Sequence, residues 1–291
     1  MERTFEVAAS RAATVGSHEV RRALPKHDRR TVGAWCFADH MGPHFAEPDE
    51  MGIAPHPHIG IQTVTWLLSG ELVHRDSLDS EQPIRPGELN LMTSGHGVAH
   101  SEEPTGSFRG LFNGIQLWVA LPSASRDGAN AFEHHAQLPK LAVDATDVTV
   151  LVGTFAEVVS PARRDSDHFG VDLDIHPGGT TLPLRPECEQ ALVVLDGQAR
   201  VEGHHAVPGN LYYLGKERQE LEISATERCR AVLIGGVPFD EEIVMWWNFV
   251  ARTRQEIGDA YRQWQAEDTS RFGQVQSRLA RIPAPDLPWN V

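Results

Sequence analysis

Apolar residues in this chain come in short runs separated by turn residues. QTVTWLLSG, ELVHRDS, ELNLMTSG and GIQLWVAL make a first set between residues 62 and 121. From residue 146 on, VTVLVG, FGVDLDI, QALVVLDG, QARVEG, NLYYL and RAVLIGG make a second. Runs of this length, bounded by Gly, Pro, Ser and Asp, read as strands. Nearer the N-terminus, Thr14–Val20 and Val32–Phe37 carry shorter alternations that also predict strands, and Asp39 to His44 (DHMGPH) reads as a loop. Residues 123–145 are polar and turn-rich and read as the connector between the two sets. The pattern changes once. Thr253 and Glu256 form a capping box, in which each side chain satisfies a free backbone N–H at a helix start. Ile257, Tyr261 and Trp264 follow at helical spacing, so a helix is predicted over Arg254–Ala266, packed on a barrel. Pro283, Pro285 and Pro288 keep the last residues extended.

The two sets are weakly repeated. WLLSG ending at Gly70 matches VVLDG ending at Gly197, and Arg85–Leu89 (RPGEL) matches Val207–Leu211 (VPGNL). The pattern therefore predicts an all-β protein of two β-barrels with a short C-terminal helical segment. The N-terminal barrel is expected over residues 1–130, and the C-terminal barrel with the helical tail over 140–291.

Composition narrows the setting. The 291 residues carry 25 Gly and 19 Pro, which suits a turn-rich β protein, and are long enough for a sizeable core. The net charge of −14, with no basic run, argues against direct nucleic-acid binding. The N-terminus lacks a signal-peptide apolar core. No stretch approaches the roughly 18 apolar residues of a membrane-spanning helix. Cys36, Cys188 and Cys229 are scattered and odd in number, which points to small buried thiols and a reducing cytoplasm.

The chemistry gathers at the ends of the first set. His56 and His58 are two residues apart, as are His100 and Glu102. On a strand, residues i and i+2 share a face, so each pair offers two ligands on one side. If the two strands lie side by side, the four groups converge. Three imidazoles and one carboxylate suit Fe, Mn, Co, Ni or Zn rather than Ca or Mg. The other candidates are weaker. His40 and His44 read as loop or surface residues. His74 and Asp76 form a third i, i+2 pair, read as solvated or structurally hydrogen-bonded. His96, between two glycines, reads as a turn residue near the pocket mouth. His134 and His135 are adjacent and make a poor ligand pair. Glu103 faces away from Glu102 on a strand and is not read as a ligand.

HPHIGIQTVTWLLSGELVHRDS, then RPGELNLMTSGHGVAHSEEP, then GIQLWVALP, resembles the pirin family of the cupin superfamily. The resemblance is strongest over residues 55–122 and extends more weakly over most of the chain. It implies a bicupin, two cupin-type barrels, with iron in the first. Carried over position by position, the family's His-Pro-His opening and Gly-x-x-His-x-Glu closing motifs make His56, His58, His100 and Glu102 the ligands. One divalent ion is implied, Fe(II) first, with Mn, Co, Ni or Zn as alternatives. One departure stands out: many members carry a Glu where this chain has Gln62, which is read as a neutral hydrogen-bonding group in the outer shell. In the second half the matched positions hold Pro183, Arg185, Glu222 and Ser224, so that barrel keeps the scaffold and loses the ligands.

The implied activity is that of a quercetin 2,3-dioxygenase. Such an enzyme cleaves a flavonol or related enolic aromatic substrate with O2, and Glu102 would serve as the general base. The alternative the family implies is an iron-binding, redox-sensing regulator that acts through protein partners. A sugar-phosphate isomerase fits less well, because only Arg75 and Arg85 lie near the site stretch to hold phosphate.

Overall fold

A computed structural model describes residues 4–16, 18–48 and 52–289. Two barrels, each made of a seven-stranded and a four-stranded antiparallel sheet, account for most of it. In the first, the larger sheet runs Ala131–His135, Leu89–Thr93, Ile61–Ser69, Gly110–Ala120, Trp35–Ala46, His18–Leu24 and Arg11–Val15. Its smaller sheet runs Ile53–His58, Val98–Glu103, Leu72–Asp76 and Glu81–Ile84. The second barrel repeats the plan with later strands and one from the N-terminus. The expected all-β, two-cupin architecture with a helical C-terminus is thus the one observed.

Several local expectations change. Thr14–Val20 is not one strand but the two sides of a hairpin turning at Gly16, whose φ of +60° is open to glycine. Asp39 to His44 is not a loop. It lies within the long strand Trp35–Ala46, paired on both edges up to Met41, and Gly42-Pro43 makes an irregularity in the ladder rather than a loop. The connector is also structured. Ala131–His135 edges the first barrel's sheet, and Lys140–Val143 edges the second's. Edge strands face water, which is why their composition reads as a linker.

The helix is close to its predicted span, Arg254–Gln265, and ends at a cap on Ala266. Thr253 Oγ1 accepts from the Glu256 N–H at 3.2 Å. Glu256 reaches back to the Arg252 N–H at 2.9 Å, one residue earlier than the box predicts. Ile257, Ala260 and Trp264 bury against Ile59, Ala99, Phe249 and Phe272, so the tail packs on the first barrel. At the other end of the chain, Glu6–Ala9 pairs with Asn210–Gly215 in the second barrel's sheet. Each barrel is therefore strapped by a segment from the far end of the sequence.

The barrels meet through their large sheets. Val64, Trp66, Leu91, Ile115 and Leu117 of the first pack against Leu151, Val193, Leu195, Val232 and Ile234 of the second in one apolar core. Trp35 crosses this seam. It is fully buried, and its indole N–H lies 3.0 Å from the Phe169 carbonyl and 3.2 Å from that of Gly235. Its ring rests on Gly170, where an added Cβ would come within 2.9 Å of Trp35 Cζ2. The second barrel's own interior is filled by Val150, Phe169, Leu173, Leu192, Tyr212 and other apolar side chains. Cys36, Cys188 and Cys229 are buried and unpaired. Among the described residues, no helix is long and apolar enough to cross a membrane.

The seam generates a stability prediction. Trp35→Ala should cost about 3–5 kcal/mol, the range for emptying a large aromatic site in a core. Urea denaturation checks it, and a loss below about 1 kcal/mol would show that the seam does not couple the barrels.

Candidate metal centre

Strand Ile53–His58 lies antiparallel to Val98–Glu103, with His100 opposite His56 and Val98 opposite His58. This register brings three imidazoles to one point on the inner face of the first barrel. Their ring centroids are 4.4–5.0 Å apart. One ligand nitrogen from each of His56, His58 and His100 lies within 4.8 Å of the others, a grouping able to hold a metal ion. The pairing shifts between His100 and Glu102, so Glu102 faces Ile53 across an irregularity in the ladder. Such a bulge re-aims a side chain. Glu102 lines the same cavity as the imidazoles, and its Oε1 accepts from the Thr65 hydroxyl at 2.8 Å. Thr65 Oγ1 also lies 2.9 Å from Gln116 Oε1.

Burial sets the electrostatics. It pushes His56 down to about 4, and His58 and His100 well below their ordinary value, because a charged ring loses its hydration there. The rings are therefore neutral near pH 7, and each carries one N–H and one lone pair. His56 Nδ1 lies 2.9 Å from the Ala54 carbonyl, and His58 Nδ1 lies 3.0 Å from the Asn248 carbonyl. A carbonyl only accepts, so both Nδ1 atoms carry the proton and both Nε2 atoms keep the lone pair. His58 Nε2 faces His100 Nε2 at 3.1 Å. The His58 Nε2 lone pair thus points into the cluster, and three imidazoles are a donor set that fits a first-row ion. Burial raises the Glu102 carboxyl above its ordinary value, against the opposing effects of His74 and the Thr65 hydroxyl.

The cavity beyond the imidazoles holds about 310 Å³. Phe37 and Trp118 stack at 3.9 Å along one side, and Trp118 meets the His58 ring edge-on at 4.9 Å. Arg22 lies over Phe37 at 4.5 Å and grips Asp39 through two bonds of 2.8 and 2.7 Å. Trp247, Asn248 and Ile282 of the tail line the same space. Nothing in the sequence pattern around residue 247 pointed to this, since the contact joins residues some 190 positions apart. His74 lies outside the cavity lining, against the far side of His100.

The remaining sequence candidates fall elsewhere. His40 is buried rather than on a loop, bonded to Asn113 Oδ1 at 2.9 Å, and His44 stacks between His18 and Phe112. Neither joins the cluster. His74 and Asp76 are not solvated. They are buried and bonded to each other at 3.1 Å. Gln62 shares its strand face with Val64 and Trp66 at the seam between barrels, and bonds Thr93 Oγ1 at 3.1 Å. Strand alternation puts it on the face opposite Thr65, away from the imidazoles, so it does not belong to their outer shell. Glu103 points away as expected and bonds Ser101 and Arg75. His96 is exposed in its turn and does not line the cavity. His134 and His135 bond Asn90 and Glu133 on the edge strand. In the second barrel, Glu222 is exposed and Arg185 pairs with Asp167 and Glu187.

Known proteins share this two-barrel fold. The pirin model matches residues 17–119, and the model of the pirin C-terminal cupin domain matches residues 170–272. A Pseudomonas aeruginosa protein named provisionally as a quercetin 2,3-dioxygenase is 42% identical over 294 aligned positions, covering 100% of this chain and 93% of its own. A pirin-like protein of Caulobacter vibrioides is 34% identical, covering 88% and 91%. A crystal structure described as quercetin 2,3-dioxygenase from Acinetobacter baumannii superposes with a TM-score of 0.95 at 40% identity, covering 99% of this chain and 97% of that one.

Removing an imidazole should remove the ion. His58→Ala or His100→Ala should weaken binding of a first-row divalent ion by more than about 100-fold, beyond the 10–100-fold range of an outer-shell partner. Metal analysis after competition with a chelator reads this. Undiminished occupancy in His56→Ala/His100→Ala would refute the cluster as the centre.

Proposed function

This chain belongs to the pirin family, and we propose that it is a metal-dependent dioxygenase of the quercetin 2,3-dioxygenase type. Its substrate would be a flavonol or a related enolic aromatic compound, cleaved with O2. The observation that carries the reading is the convergence of three buried imidazoles on an aromatic-walled cavity. His56, His58, His100 and Glu102 would hold the ion, Fe(II) by preference. When bound, the ion supplies Lewis acidity toward a substrate oxygen and redox chemistry toward O2.

The protein's own groups do the rest. Glu102 is the base that takes the enol proton. It is buried, burial raises its carboxyl above the ordinary value, and Thr65 holds one oxygen in place. Acting as base requires that Glu102 loosen from the ion, and the Thr65 hydroxyl then keeps the freed carboxylate at the cavity. The apolar wall of Val20, Phe37, Met41 and Trp118 excludes water from a planar substrate. Gln116 and the Arg22–Asp39 pair place polar groups along the same space, where hydroxyl groups of a polyphenol find partners. The names carried by the Pseudomonas and Acinetobacter relatives support the same reaction class.

The test supplies Fe(II), Mn(II), Co(II) and Ni(II) in turn and follows O2 consumption with quercetin. At least one metal form should turn over above a His58→Ala/His100→Ala control. Glu102→Gln should keep most of the metal and lose about 10²–10⁴-fold in kcat, the usual contribution of a positioned acid–base group. If no metal form consumes O2 above the control, the regulatory reading takes this one's place.

A further inference from the structure

Three imidazoles meet at the centre, but they are not held in the same way. His56 and His58 donate to backbone carbonyls. Among the described residues, His100 has no carbonyl partner at its Nδ1. That atom lies 3.4 Å from Nδ1 of His74, whose Nε2 in turn lies 3.1 Å from Asp76 Oδ2. We propose that Asp76 and His74 together are the positioning pair of the metal centre and set which nitrogen of His100 is free to bind. The inference rests on the reading of His56, His58 and His100 as a metal site.

Strand pairing builds the arrangement. Leu72–Asp76 runs antiparallel to Val98–Glu103, with Asp76 opposite His100 and His74 opposite Glu102. Each member is immobilised. The His74 ring stacks on Phe132 at 4.3 Å and 12°. Asp76 Oδ1 accepts the N–H groups of Leu78 and Ser80 at 2.8 and 3.0 Å, which leaves Oδ2 for His74. The side chains of the pair are 3% and 0% exposed, so neither exchanges its partner for water.

Proton accounting then fixes the direction. A carboxylate only accepts, so His74 Nε2 carries a proton. An ion at the centre needs the lone pair of His100 Nε2, the atom that faces His58, so the His100 proton sits on Nδ1 and His74 Nδ1 is the atom placed to accept it. Outer-shell carboxylates acting through a histidine both orient a ligand and raise its basicity. Among the described residues, His100 is the one of the three whose backing ends in a carboxylate rather than a backbone carbonyl.

A purely structural pair would give a different mutational order. In Asp76→Asn, the two backbone N–H groups keep the amide oxygen, and the NH2 group takes the place of Oδ2. It then donates to His74 Nε2, His74 donates from Nδ1, and His100 is driven to the tautomer with a protonated Nε2. An outer residue that enforces the wrong tautomer is more harmful than its small change in shape suggests. Asp76→Ala deletes the acceptor without adding a donor and leaves His74 free to choose.

The probe is Co(II), added to the purified full-length protein. Affinity is read by chelator competition, and the ligand field by visible absorption. Asp76→Asn should weaken Co(II) by 10–100-fold and shift the absorption bands, and should do more harm than Asp76→Ala. An affinity within twofold of wild type with an unchanged spectrum would overturn the inference. So would the reverse order, with Asp76→Ala the weaker binder. Should Asp76→Ala not fold, Asp76→Asn against wild type decides by the same two readings. Wild-type protein that binds no Co(II) would instead overturn the metal reading on which the pair depends.

Discussion

A buried imidazole can bind an ion only through a nitrogen that carries no proton, so something else must hold the proton on the other nitrogen. Within the first barrel this requirement shapes a large part of the chain. The Ala54 carbonyl serves His56 from two residues away. The Asn248 carbonyl serves His58 from the turn of a tail hairpin, between the strands Val244–Trp246 and Phe249–Ala251. His74, on the neighbouring strand, serves His100. The three candidate ligands thus draw on three separate segments, and their arrangement is complete only when the smaller sheet and the tail are both in place.

That dependence gives the tail a role beyond covering apolar surface. Val250 and Ile282 donate backbone bonds to Ile59 and Pro55, one residue outside each end of the His56–His58 motif. Phe249, Ile257, Trp264 and Phe272 bury the outer side of the same region. Burying side chains of this size contributes roughly 1.5–3 kcal/mol each, enough to fix the hairpin turn against the metal strand. Trp247 sits in that turn at a φ of +51°, uncommon for a bulky residue, and lines the cavity. Strain of this kind persists where the surroundings over-determine the backbone, and it clusters at functional sites.

The second barrel shows what the same scaffold becomes without ligands. Its interior is packed with Val, Leu, Phe and Tyr where the first barrel keeps a polar cavity. It contributes the other half of the apolar seam, and Trp35 ties the two halves together through the Phe169 and Gly235 carbonyls. Gln62 belongs to this seam. The residue that looked like a change in the metal's surroundings is a change in barrel packing, because it lies one position out of phase with Thr65.

The sequence by itself determined the strand-rich class, the two-barrel repeat, the capped helix and the histidine pairs. Each of these follows from local periodicity: two residues per repeat on a strand, 3.6 on a helix, and side-chain capping within one turn. It also placed His74 and Asp76 on one strand face, although not against His100. Tertiary structure alone decided the rest. The strand through Asp39 and His44 is held by pairing on both edges up to Met41 and on one edge at His44, so its local Gly-Pro signal becomes a ladder irregularity and not a loop. The burial that keeps the three imidazoles neutral comes from sheet closure and from a tail that begins beyond residue 240. Which face Gln62 takes depends on which side of its sheet meets the other barrel. Such contacts join residues 40 to 190 positions apart, and no window of local pattern contains both partners.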